Sequence, residues 1–219
     1  MSRFWKNNSL SIVLFTLFFV VVAGQSVTGW QAYNDERSDH DHHEITYGEY
    51  LGSGHFGEAI FENWESEFLQ MSFFILLTVW FRQKGSAESK KVEGTEKVDQ
   101  DPRDSRREKN VPWPVRKGGI VLKIYEHSLS LAFVLLFTIS LTMHAVEGVR
   151  AYNVERMQHG DTPVSTLDYS RSSQFWFESL QNWQSEFLAV GFMVLFSVYL
   201  RERGSPESKP VDMPHGEML

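Results

Sequence analysis

Four polar residues share one face of a helix where the surrounding chain is apolar: Asn63, Ser66, Glu67 and Gln70, at i, i+3, i+4 and i+7. If Arg82 marks the inner edge of a membrane span, Glu67 lies about 15 residues up, or roughly 22 Å into a hydrocarbon core of about 30 Å. A carboxylate at that depth is costly unless it is paired, hydrated or protonated, so this face must turn towards other helices or towards water. Two chemistries fit. One is a proton or cation relay, in which intramembrane Glu and His are the usual carriers. The other, and the more ordinary, is hydrogen-bonded glue between helices at roughly 1 kcal/mol per bond.

The pattern returns as Asn182, Ser185 and Glu186, with Ala189 in the fourth place. Gln25 and His144 stand at a matching height on other apolar segments, about 16 residues or roughly 24 Å above the inner boundary at Ser9 and its counterpart. Glu67 with Gln25, and Glu186 with His144, are therefore plausible interhelical partners. Glu65 and Glu67 lie two apart on different helical faces, a poor geometry for a cooperating acid pair.

A second candidate is Asp39-His40-Asp41-His42-His43-Glu44. Neutral imidazoles with carboxylates suit Zn²⁺, Ni²⁺ or Cu²⁺, and His40 and His43 can share a helical face. The signal is weak, because the matching stretch Gln158-His159-Gly160-Asp161-Thr162 keeps only one histidine. Solvated decoration is the commoner use of such a tract. No hydrolase, zincin, phosphate-loop or dinucleotide signature occurs, so the chain reads as non-enzymatic and without a cofactor. There is no cysteine, which excludes disulfides and thiol chemistry. Basic residues are interleaved with acids, which argues against nucleic-acid binding.

The elements that must position these residues come in duplicate. A gap-free offset of 119 aligns residues 7–92 with 126–211 and gives 32 identities in 86 pairs. Among them are Asn-Trp-x-Ser-Glu-Phe-Leu at 63–69 and 182–188, and Tyr-Asn-x-Glu-Arg at 33–37 and 152–156. Identity at that level marks a duplicated unit. Each copy carries two apolar blocks. Residues 10–28 hold no charge, and 129–146 hold only His144 as an ionisable group. Both are long enough to span. The blocks at 68–81 and 187–200 reach a full span when extended back to Phe61 and Leu180. A cleavable signal peptide is the rival reading of the first block. Its mid-chain repetition argues for a retained span.

Lys and Arg concentrate at the N-terminus, in residues 82–117 and in the C-terminal tail, whereas 30–65 carries one Arg against nine Asp/Glu. By the positive-inside rule both termini and the linker are cytoplasmic, and the two repeat loops face outward. The expected fold is an all-α membrane protein of four transmembrane helices, formed by two tandem helical hairpins of parallel topology. Its parts are a first repeat at 1–92, a disordered linker at 93–119, a second repeat at 120–211 and a tail at 212–219. A short amphipathic helix is expected in each outward loop, at Tyr50–Phe61 and Tyr169–Leu180. The spans should end at Arg-x-x-Gly-Ser-x-Glu-Ser-Lys, with Gly85 and Gly204 in left-handed caps.

The paired heptads and these exits, on a four-span plan, resemble an uncharacterised bacterial family of small integral membrane proteins catalogued as a domain of unknown function. The resemblance implies the bacterial inner membrane and brings no activity or catalytic residue. The chain thus reads as a structural or accessory membrane protein embedded in the lipid bilayer, with a homo-oligomer or another membrane protein as candidate partner. A small proton- or cation-coupled permease working through Glu67 and Glu186 is the alternative.

Overall fold

The computed structural model describes residues 2–217. Eight α-helices and one short 3-10 turn, and no strand, occur among them: α1 (Arg3–Asp39), α2 (Tyr47–Leu51), α3 (Gly54–Trp80), α4 (Trp113–Lys117), α5 (Gly119–Glu126), α6 (Ser128–Gln158), α7 (Thr166–Tyr169) and α8 (Ser173–Tyr199). α1 and α6 are long and apolar enough to cross a membrane. Both run well past their apolar blocks, so Tyr33-Asn34 and Tyr152-Asn153 sit on the last turns of the same helices. α3 and α8, at 27 residues each, have the length but break their apolar runs with carboxylates and amides.

The chain divides into two compact units. One comprises Met1–Phe61 with Met143–Arg171, and the other Glu62–Thr142 with Ser172–Leu219. α3 and α6 each give part of their length to both.

In the first unit, the turn after α1 is tied by a side chain. Asn34, buried on α1, accepts from the Ile45 amide at 2.9 Å and donates to the Ile45 carbonyl at 2.9 Å. Asn153 makes the same two bonds to Val164, at 2.9 and 2.8 Å. Arg37 and Arg156 each donate to a loop carbonyl, of His43 and Thr162, and each lies over a tyrosine ring, Tyr33 and Tyr152. The loops then enter short capped helices. Thr46 and Glu49 form a reciprocal capping box on α2, and Ser165 caps α7 by accepting from the Asp168 amide.

The separate amphipathic helices expected at Tyr50–Phe61 and Tyr169–Leu180 do not form. α2 and α7 end after one turn, and the long helices begin at once, at Gly54 and Ser173. A serine just before each long helix, Ser53 or Ser172, accepts from the amide three residues on, which starts the helix there. Gly54 opens α3 against α6: a Cβ at that position would lie 2.6 Å from the Ala151 amide nitrogen and 2.7 Å from the Glu147 carbonyl oxygen. Only glycine permits this approach.

In the second unit, aromatic pairs join the long helices: Phe68 with Phe133, Phe73 with Phe187 and Phe137 with Trp183. α3 stops at Trp80 and α8 at Tyr199, ahead of the glycines expected to cap them. Arginine does the closing. Arg82 Nη1 reaches back to the carbonyls of Val79 and Phe81, and Arg201 Nη1 to those of Val198 and Leu200. Gly85 and Gly204 do adopt positive φ, at 84° and 89°, but in the turn that follows. There Ser89 and Ser208 accept from the amides of Gln83 and Glu202.

Candidate functional site

α3 carries glutamates at i, i+4 and i+7: Glu58, Glu62 and Glu65, continued by Leu69 and Ser72. This is the heptad spacing of a helix face that meets other helices. Within the second unit, Glu65, Leu69 and Ser72 are buried, and Glu65 has no exposed surface at all. Glu65 accepts from the Trp183 indole at 3.2 Å, and Glu62 accepts from the Asn182 amide. Trp183 and Asn182 both belong to α8, so two side chains of its Asn-Trp-x-Ser-Glu heptad bind two carboxylates of α3. Buried charge requires such partners.

The residues singled out by sequence fall around this face. Ser66 is buried, with its hydroxyl on the Asn63 carbonyl at 2.8 Å, and Gln70 is half-buried. Asn63 and Glu67 are exposed. Glu65 is therefore the buried carboxylate of this helix, not Glu67. On α8, Asn182 is half-buried, Ser185 is exposed and bonds the Asn182 carbonyl, and Glu186 is half-buried. Matching positions are not buried alike. Phe177, Gln181, Gln184 and Leu188, the counterparts of Glu58, Glu62, Glu65 and Leu69, are all exposed.

The first unit holds Gln25, half-buried on α1, and His144, fully buried on α6. One carboxylate oxygen of Glu58 and one ring nitrogen of His144 lie within 4.8 Å of each other. Tyr169, 1% exposed on α7, donates its hydroxyl to Glu58 Oε1 at 2.9 Å. Gly148, one turn beyond His144, makes room: a Cβ there would lie 2.7 Å from the Tyr169 oxygen and 2.8 Å from Glu58 Oε1. In the first copy the equivalent tyrosine, Tyr50, meets His55 Nδ1 at 3.3 Å instead. Burial raises the Tyr50 phenol above its ordinary pKa, aided by Tyr33. Burial also lowers the His55 imidazole, against the opposing pull of Glu36.

The histidine tract of the first loop is not gathered. His40 and His43 are exposed, His42 is half-buried, and the His40 ring turns back to the Glu36 carbonyl at 2.9 Å. Among the described residues these three belong to no set of three or more converging ligands.

Fold and site together define an all-helical protein with two helices apolar enough to cross a membrane and with carboxylates held inside it by tryptophan, asparagine and tyrosine donors. A family model described as a domain of unknown function, DUF6766, matches residues 1–218, and the chain belongs to that family. No curated protein matches it, and no solved structure does.

Proposed function

We propose that this is a non-enzymatic integral membrane protein of structural or accessory role, resident in a bacterial inner membrane. It crosses four times as two tandem hairpins, with both termini and the linker in the cytoplasm. The observation that carries the reading is the pair of bonds from Asn182 and Trp183 to Glu62 and Glu65. Carboxylates that accept from neighbouring helices are engaged in holding those helices together, which is what polar residues within a span most commonly do. The positive-inside distribution supports the orientation, and the 119-residue repeat supports the parallel hairpins.

Topology is tested with reporter fusions at Gly94, Ser165 and the C-terminus, which should read inside, outside and inside. An outside signal at Gly94 would overturn the orientation. The alternative, a proton- or cation-coupled permease, rests on Glu67 and Glu186, which hold the same place in both copies. Proteoliposomes of the wild-type chain should show no proton flux above protein-free vesicles. Flux that disappears in Glu67→Gln/Glu186→Gln, with stability unchanged, would replace the structural reading by the permease.

A further inference from the structure

We propose that Glu58, His144 and Tyr169 form a binding site for one divalent first-row transition-metal ion, independently of the membrane reading above. Glu58 stands beside two further donors of the right kinds. The Glu58 carboxylate and His144 imidazole lie within 4.8 Å, and the Tyr169 phenol oxygen is 2.9 Å from Glu58 Oε1. An ion about 2.0–2.2 Å from each donor needs them roughly 3–4 Å apart, which lies inside the bound set for Glu58 and His144. A nitrogen donor with two oxygens favours zinc, manganese, iron or copper over calcium and magnesium, which prefer all-oxygen cages.

The scaffold holding the three groups is tight. Gly54 and Glu58 lie one turn apart on α3, as do His144 and Gly148 on α6, and both glycines are where other groups come too close for a Cβ. His144 and Tyr169 are at most 1% exposed. Donors held in place by close packing are what metal affinity requires.

The triad is complete in one copy alone. The positions 119 residues away carry Gln25 in place of His144 and Phe177 in place of Glu58, while the tyrosine is kept as Tyr50. On binding, Tyr169 gives up to solvent the hydroxyl proton that it now donates to Glu58 in a hydrogen bond, so affinity rises with pH.

The test uses the full-length protein in detergent, stripped with chelator and titrated with Co²⁺, Zn²⁺ and Cu²⁺ separately. Wild type should bind one ion per chain with sub-micromolar Kd, and the Cu²⁺ form should show a phenolate charge-transfer band. Glu58→Phe and His144→Gln, taken from the matched positions, should each weaken binding at least 100-fold while the metal-free melting temperature stays within a few degrees. If Glu58→Phe does not fold, Glu58→Gln serves in its place. Tyr169→Phe should remove the visible band, and the triple variant His40→Ala/His42→Ala/His43→Ala should bind as wild type does. No binding by wild type, binding unchanged in His144→Gln, or binding lost in the triple loop variant would each overturn the proposal.

Discussion

The two asparagine ties, alike in geometry, should differ in energetic weight. Asn34→Leu and Asn153→Leu each delete an acceptor for a loop amide and a donor for the same residue's carbonyl. At Asn153 both groups of Val164 lose the partner that held them. At Asn34 the Ile45 carbonyl still accepts from the Trp30 indole at 2.8 Å, and Val149 takes the place of Trp30 in the second copy. A hydrogen bond contributes about 1 kcal/mol net, and an orphaned buried group costs about 1–3 kcal/mol. Both loops are only partly buried, which favours the lower ends of those ranges. The loop of Asn153→Leu should therefore open more easily by about 2–4 kcal/mol, and that of Asn34→Leu by about 1–2 kcal/mol. Hydrogen exchange at the Tyr169 and Tyr50 amides, which close the first turns beyond each loop, reads the opening directly. Protection should fall about 30- to 700-fold at Tyr169 and about 5- to 30-fold at Tyr50. Adding Trp30→Phe to Asn34→Leu should bring the first loop to the level of the second. Equal losses in the two single variants would refute the assignment of the difference to Trp30.

Glycine substitutions should act with opposite signs: Gly54→Ala meets backbone on α6 and should destabilise by about 1–3 kcal/mol, whereas Gly24→Ala has nothing within 4 Å and should stabilise by about 0.5–1 kcal/mol. Thermal melts of the two variants in one detergent decide this. The Glu88 carboxyl is pushed above its ordinary 4.5 first by burial and then by Glu207, which faces and bonds it. The folded chain thus holds a proton that the unfolded chain gives up, and the resulting stability is full below about pH 4.5 and is lost as pH rises through the raised value. Glu88→Gln should flatten this pH dependence and raise the melting temperature at neutral pH. A melting profile unchanged from wild type would count against the pairing with Glu207.

Much of the architecture is legible in the residues. The charge-free run at 10–28 and its counterpart announce α1 and α6, and Tyr33-Asn34-x-Glu36-Arg37 announces their continuation. The start of α3 was also written in the chain, since Thr46-x-x-Glu49 is a capping box and Ser53 an N-cap, but the periodicity of Tyr and Phe obscured both. The buried stripe of α3 shares Ser66 with the expected polar face and otherwise runs beside it, through Glu65 and Leu69. Identity between the copies draws attention to Asn63, Ser66 and Glu67, whereas the residues that face inward, Glu58, Glu62 and Glu65, are those in which the copies differ. Their heptad spacing was the available signal. His144 stood out by its apolar setting, but its neighbours Glu58 and Tyr169 lie 86 residues before and 25 after it, and only the fold brings them close.

The closure of α3 and α8 by Arg82 and Arg201 bears on how such a chain could have been assembled. Each helix end is finished within nine residues by groups its own motif supplies: a guanidinium on the last carbonyls, a left-handed glycine and a serine that takes up the next free amide. A segment that completes its own end places no demand on what is joined to it. Doubling the tether between two such segments costs only about 0.6 kcal/mol of closure entropy. A gene duplication read through in frame could therefore join them with whatever sequence lay between, and that intervening stretch could drift in length and composition afterwards without disturbing either half.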